Sequence, residues 1–397
     1  MKRTLSLTLA LACLPVLTGC MRTPAEATVG RSRQIPEPSA TSAAWQRFLD
    51  ELASSTERLD EQRDSMNEVE RATAHRSLMR AAILAANTAL ENADPAHPFF
   101  APIDPPFFKT GGNSPDAEYY QAPMSGALRY RIRGRRGDAA FFSFQVYART
   151  ERGYRTDSAL IDSEIEFDEE GRFELVASAD PLDDAGPGTW LRLSLGSFGV
   201  TVRTYSHDPE SVVRPQLEIE VIDGPNRFTT VSEAEMARRI DAMRFQYQFF
   251  SSAGEWLATM RDDPNRFEIR DMPLDPEMGF AKAVQYVRGV WELEPDEALV
   301  IEGEPPASRY WMIQLDNRFA EAFEHRHRRV SLNNAQIELE EDGRYRIVIA
   351  HEDPGVPNWL DAGGYSRGAM TFRWVDLPDA GAPETRVLPL AELRKGG

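Results

Sequence analysis

The residues best suited to chemistry in this 397-residue chain crowd into one stretch, HEDPGVPNWLDAGGYSRGAMTFRW, which begins at His351. An imidazole beside carboxylates can move protons. His351 with Asp353 or Asp361 would make the acid–base pair of a hydrolase or lyase, with arginine holding the negative charge that develops. The same stretch also suits binding without any covalent step. Trp359 offers a face for stacking, while Asn358 and Arg367 offer bonds to an anionic or polyhydroxylated ligand, a small molecule or a glycan. A third reading is architectural: Asp353-Pro354-Gly355 is turn chemistry, Asn358 and Asp361 bond nearby backbone, and Trp359 plugs the open end of a sandwich. Ligand-binding protein, enzyme and structural envelope protein are therefore the classes in play, and whether the chain is an enzyme stays open.

Two other clusters stand out by type. RYRIRGRR from Arg129 and HRHRR from His325 concentrate arginine in a chain whose formal charge is -18. A guanidinium fork fits carboxylate, phosphate or sulfate, so Arg131, Arg133 and Arg328 would form an anion pocket if they converged. Charge placed on exposed sheet faces is the competing explanation. His325 and His327 alternate, which on a strand would turn both imidazoles to one face, as some metal sites do. Arg326, Arg328 and Arg329 would repel the cation, and no third ligand is suitably spaced, so neither a metal nor a cofactor is expected.

Recognised catalytic signatures are missing: there is no G-x-S-x-G elbow, phosphate loop, dinucleotide turn or H-E-x-x-H helix. Carboxylate pairs carry no spacing signal among 63 acidic residues. That acidity argues against nucleic acid as a partner and against lying flat on anionic lipid.

The elements that must position these residues read as α+β, mainly β: antiparallel β-sandwich or jelly-roll-like sheets with an N-terminal helical hairpin and an inserted helix. Trp45, Phe48, Leu49 and Leu52 recur at helical spacing from about Ala43, and Asn67 with Glu70 makes a capping box for a second helix that stops near Ala93-Asp94-Pro95. Residues 43–93 thus form the hairpin, 94–230 a first β region, 231–263 a connecting helix opened by Ser232 and Glu235, and 264–397 a second β region. Leu128, Tyr130 and Ile132 alternate with Arg129, Arg131 and Arg133, the pattern of a half-buried strand. AQIELEEDGRYRIVIA from Ala335 reads as a hairpin turning at Glu341-Asp342-Gly343. No tandem repeat of fixed period is visible.

Two long runs carry a family pattern. RYWMIQLDNRFAEAFEHRHRRVSLNNAQIELEEDGRYRIVIAHEDPGVPNWLDAGGYSRGAMTFRW holds a Tyr-Trp strand, a Ser-Leu-Asn turn and a D-P-G-x-x-N-W-L-D-x-x-G loop ahead of an Arg-Trp strand. GGNSPDAEYYQAPMSGALRYRIRGRRGDAAFFSFQVYA, from Gly111, supplies the upstream half. Together they resemble the domain of unknown function 1214 family over most of the chain beyond residue 42. The resemblance implies a sandwich or jelly-roll-like second domain and brings no activity with it. It departs at Tyr365, where the pattern leads one to expect His.

The first twenty residues read as an address. MKR is a cationic start, the following apolar run is too short to span a bilayer comfortably, and Leu17-Thr18-Gly19-Cys20 has the small-residue spacing of a bacterial lipobox. Cleavage would leave Cys20 as an acylated N-terminus, with residues 21–42 a Pro- and Ser-rich tether. Met21 in place of Asp favours the outer membrane, with the domain facing the periplasm. Cys13 and Cys20 are the chain's two cysteines, so the mature domain has no disulfide and no thiol nucleophile to use. Labelling cells with a palmitate analogue is expected to mark the wild-type chain and leave Cys20→Ser unmarked; a labelled Cys20→Ser chain would put the acyl group elsewhere.

Overall fold

Side chains alternate across a strand, so each strand commits one face to a core and leaves the other face to be accounted for. In the first half of the chain this builds a sandwich. One sheet runs β1 (Ala101–Pro102), β2 (Ala117–Pro123), β8 (Ser197–Tyr205), β4 (Phe141–Thr150), β5 (Gly153–Ile161). Its partner runs β7 (Trp190–Arg192), β6 (Arg172–Ser178), β3 (Tyr130–Arg135), β9 (Gln216–Val221). Tyr130, Ile132, Phe142, Phe144, Val200 and Val202 meet between the two sheets. These coordinates are a computed structural model, and they describe residues 38–103, 109, 111–150, 153–181, 188–222, 224, 230–252, 254, 263–268, 281–376 and 381–394. The leader and nearly all of the tether lie outside the described residues.

The second half repeats this plan. β10 (Arg266–Glu268), β11 (Val284–Glu292), β17 (Arg367–Val375), β13 (Trp311–Asn317) and β14 (Ser331–Asn333) form one sheet in that order. β16 (Trp359–Asp361), β15 (Tyr345–Ala350), β12 (Glu297–Gly303) and β18 (Glu384–Pro389) form the other. Adding nine to each strand number of the first sandwich gives the second, including the parallel pairing of β6 with β7 and of β15 with β16. The chain is thus an internal duplication, which corrects the expectation of no repeat. Unequal loops hide it: the offset is 167 residues between the starts of β2 and β11 (Ala117, Val284) and 173 between those of β6 and β15 (Arg172, Tyr345).

The two sandwiches meet through equivalent faces. Tyr119, Phe141 and Tyr205 of the first pack with Val284, Tyr310, Met312 and Val375 of the second. Buried Asp116 holds this seam, accepting from Tyr310 Oη at 3.0 Å and Asn333 Nδ2 at 2.8 Å. Arg309 forks onto Asp162 with both contacts at 2.7 Å.

Three helices cover the seam: α1 (Ala40–Glu61), α2 (Glu68–Ala86) and α3 (Glu233–Ser251). The connecting helix proves to be the centre of this layer, since Phe48 of α1 and Leu78 and Ala81 of α2 share a core with Ile240, Met243 and Tyr247 of α3. Ser232 Oγ caps α3 by accepting from Glu235 N–H, while the Glu235 carboxylate pairs with Arg239. The expected continuation of this helix to Met260 falls largely outside the described residues. The Asn67–Glu70 capping box is present as read. Glu70 does more than cap. It is fully buried and also accepts from Arg318 Nη1 at 3.1 Å and from Ser366 N and Oγ at 3.0 and 2.8 Å, which ties α2 to the second sandwich.

Two local expectations fail. The AQIELE arm of the expected hairpin pairs with the next strand only through a Leu339–Tyr345 bridge. The Asn358 amide has taken the backbone of Glu338 instead, donating to its carbonyl at 2.7 Å and accepting from its N–H at 2.9 Å. His325 and His327 sit in a turn, not on a strand, because the N–H groups of His327 and Arg328 both close onto Glu324 O.

Removing one partner of a buried ion pair strands the other charge. Glu70→Ala is accordingly expected to lower the unfolding free energy by about 3–5 kcal/mol in urea titrations, and a loss under about 1 kcal/mol would show that Arg318 finds water instead.

Candidate functional site

Each nominated residue of the His351 stretch is occupied locally. Asp353 Oδ1 accepts from Gly355 N–H at 2.8 Å across a turn that needs the φ of +83° at Gly355. Asp361 accepts from Gly363 N–H at 2.7 Å and from Arg328 Nη1 at 2.6 Å. Trp359 Nε1 donates to Ala350 O at 3.1 Å, and its half-buried ring packs against Val300, Val348, Leu390 and Leu393. His351 Nε2 lies 3.4 Å from Leu293 O, a backbone partner. The expected pairing of His351 with Asp353 or Asp361 is not formed, because N–H groups two residues along the chain reach those carboxylates first. Tyr365 at the departure from the family pattern is buried, its hydroxyl 3.1 Å from Thr73 Oγ1 and its ring 4.8 Å from Phe323.

The nominated arginines do not converge. Arg131 and Arg133 form an outward-facing ladder with Glu174 and Glu220, with contacts of 3.2–3.3 Å. Arg328 belongs to Asp361 on the second sandwich, and Arg367 Nη2 lies 3.9 Å from Glu292. No cluster of His, Cys, Asp or Glu able to hold a metal ion occurs among the described residues.

Chemistry gathers instead at the seam. A cavity of about 600 Å³ opens between the facing sheets, with α2 and α3 contributing Leu84, Phe245, Phe249 and Phe250 to its wall. Its polar residues and the glutamines behind them follow from the duplication. In the first sandwich β2 sets Tyr119 opposite Arg203 of β8, and β4 sets Gln145 opposite Thr201. In the second β11 sets Tyr286 opposite Arg373 of β17, and β13 sets Gln314 opposite Thr371. Each guanidinium lies over its tyrosine ring, at 5.4 Å for Arg203 and 5.6 Å for Arg373. Each donates through Nη1 to its glutamine Oε1, at 3.3 and 2.6 Å. One Tyr-Arg-Gln set therefore comes from each half. The halves differ one place along the same face, where Gln121 stands in the first and Arg288 in the second.

Among the described residues the lining is cationic. Arg373 is 3 % exposed. Arg203 and Arg288 keep more surface, and that surface lines the cavity. Among the described residues Arg203 and Arg373 bond neutral acceptors: Gln145 for the first, and for the second Gln314, the Met312 sulfur and the carbonyl of Gly112, a residue at φ +72°. Burial pushes Arg288 down to about 10, with Arg373 beside it adding repulsion. Burial alone would raise the Tyr286 phenol, yet Arg203, Arg373 and Arg288 bring it below its ordinary value. Burial also raises the Asp316 carboxyl against the pull of Arg373. The described lining holds four arginines, at 149, 203, 288 and 373, and one carboxylate, Asp316.

Sequence reading passed over this set although Arg373 lies in the stretch first singled out. A usable signal existed. VTVRTY and MTFRWV align Thr201 with Thr371 and Arg203 with Arg373, and FQV and IQL align Gln145 with Gln314, polar residues set among apolar neighbours. Polar side chains there need a cavity or a partner.

Fold and cavity together define a duplicated β-sandwich protein with a helical roof over a cationic seam. Sequence comparison matches residues 115–209 and 292–377, one stretch in each sandwich, to the family described as protein of unknown function (DUF1214). Each half of the chain is thus similar to this family. Among solved structures it is similar to an uncharacterised protein from Burkholderia cenocepacia, at 30% identity and a TM-score of 0.82, covering 88% of this chain and 97% of that one. It also matches the VPA0106 protein from Vibrio parahaemolyticus at 13% identity and a TM-score of 0.47, covering 79% and 96%. No curated protein matches the sequence.

His325 supplies a pH signature. Burial pushes its imidazole down to about 4, with Lys109 and Arg326 adding repulsion, against an ordinary value of 6.5. Between those values the unfolded chain binds more protons, so this residue's effect is that stability falls as pH drops from about 6.5 to about 4 and is level below. His325→Asn is expected to flatten that part of the profile in urea midpoints at pH 7, 5.5 and 4. An unchanged slope would assign the acid sensitivity to other groups.

Proposed function

We propose that this chain binds a small organic anion in the central cavity, its acidic group held by the strand arginines and its apolar body by the aromatic roof. The observation that carries this reading is the placing of half-buried Arg203 and buried Arg373 against neutral acceptors, among the described residues, inside a protein of formal charge -18. Taking a cation out of water is costly unless an anion meets it, and about 600 Å³ is a usual size for a ligand site. The anion site expected at the sandwich rim around Trp359 and Arg367 is thereby relocated to the seam, and anionic character is favoured over a merely polyhydroxylated ligand. His351 has a backbone partner and lends the acid–base alternative no support. We also propose that the protein works as an envelope lipoprotein anchored through Cys20, facing the periplasm from the outer membrane, a reading supported by the pattern of residues 1–20.

Thermal shift with matched pairs tests the anion site. Benzoate and octanoate are expected to raise the melting temperature while benzamide and octanol do not, since a ligand at one hundred times its Kd adds about 2.7 kcal/mol. Arg373→Gln should abolish the shift. Equal shifts from the neutral analogues, or a full shift in Arg373→Gln, would refute the site.

A further inference from the structure

The two halves of the cavity wall raise a question that a single acidic group does not answer. Each sandwich presents its own guanidinium, oriented by its own tyrosine ring and glutamine amide, and the two arrangements match strand for strand. Among the described residues neither guanidinium has an ion-pair partner, Asp316 standing near Arg373 alone, so a monoanion bound by one set leaves the other set without a ligand charge. Buried charges left unpaired are expensive, so the ligand that best fits the lining brings more than one negative charge and brings them to separate places.

We propose that the ligand is a two-headed organic anion, a dicarboxylate or its close chemical equivalent, with one acidic group on Arg203 and the other on Arg373. This rests on the anion-binding reading above and narrows it. The two subsites are not identical. Arg288 lies 5.0 Å from the centre of the Tyr286 ring, where the first sandwich has Gln121, and Asp316 stands beside Arg373 and Arg288, whereas the Arg203 end has Arg149 of β4 and no carboxylate among the described lining. The two ends therefore hold their heads differently, and the ligand binds in one direction. The aromatic side chains of α3 cover the part of the ligand between the heads, which favours an apolar or aromatic spacer over a sugar.

Isothermal titration of the full chain with matched mono- and diacids decides the matter: hexanoate against hexanedioate, octanoate against octanedioate, and benzoate against benzene-1,4-dicarboxylate, with sulfate as a dianion of one centre. At least one diacid is expected to bind about tenfold or more tighter than its monoacid, since the second charge-assisted contact is worth at least that factor. Arg203→Gln and Arg373→Gln are each expected to reduce the diacid to the affinity of the monoacid. Arg288→Gln places in the second half a residue type the first half already carries at the equivalent place, so it keeps the fold, and it should weaken the diacid by less than Arg373→Gln does. If every diacid merely equals its monoacid while Arg373→Gln still weakens both, the two-headed ligand is wrong and the anion site stands. Sulfate binding as tightly as the best diacid would show that one doubly charged centre suffices, which also overturns the proposal. If no acid binds, the anion reading and this one fall together.

Discussion

A guanidinium can be kept from bulk water only if something else meets its charge and its five donors, and that requirement organises the centre of this protein. Arg203 and Arg373 satisfy it in part with neutral acceptors, Gln145, Gln314 and the Gly112 carbonyl, and in part by lying over Tyr119 and Tyr286. Those partners come from different strands of two separate sheets. They stay in place only while the sandwiches hold their mutual position, which is the task of the Asp116 and Arg309 contacts at the seam. The helical layer has a matching task. By covering the seam it keeps the arginines in a medium where their charges act at greater strength than in water.

The outward appearance of a residue in the sequence proved a poor guide to its work. The stretch from His351 to Arg367 looked reactive because it gathers many polar types, yet its aspartates tighten turns, its asparagine stands in for a strand partner, and its tryptophan covers the outer face of a sheet. The arginine-rich run at Arg129 became a ladder of alternating charge with Glu174 and Glu220, which keeps an outer sheet face soluble. In contrast, Gln145, Thr201 and Arg373 each stand between two apolar neighbours and were not read as site residues.

Much of the framework was legible for physical reasons that act locally. Period-two alternation located β3, and the Asn67–Glu70 box fixed the start of α2 to the residue, since both depend on neighbours a few positions away. What escaped depends on distant partners. Nothing local says that α3 sits between α1 and α2, or that the second faces of β8 and β17 turn toward each other. The lost hairpin arm at 335–340 shows the same limit in reverse: a sound local pattern was overridden by the amide of Asn358, some twenty residues downstream.

The two sandwiches touch through equivalent strands, which is the arrangement of an isologous pair of subunits, here written into one polypeptide. Two separate identical subunits would have to carry the same residue on both sides of such an axis, so any site on it would be symmetric. Covalent fusion lifts that obligation. One side can keep glutamine while the other adopts arginine, and a head-to-tail sense becomes available to a pocket that two identical subunits would make symmetric.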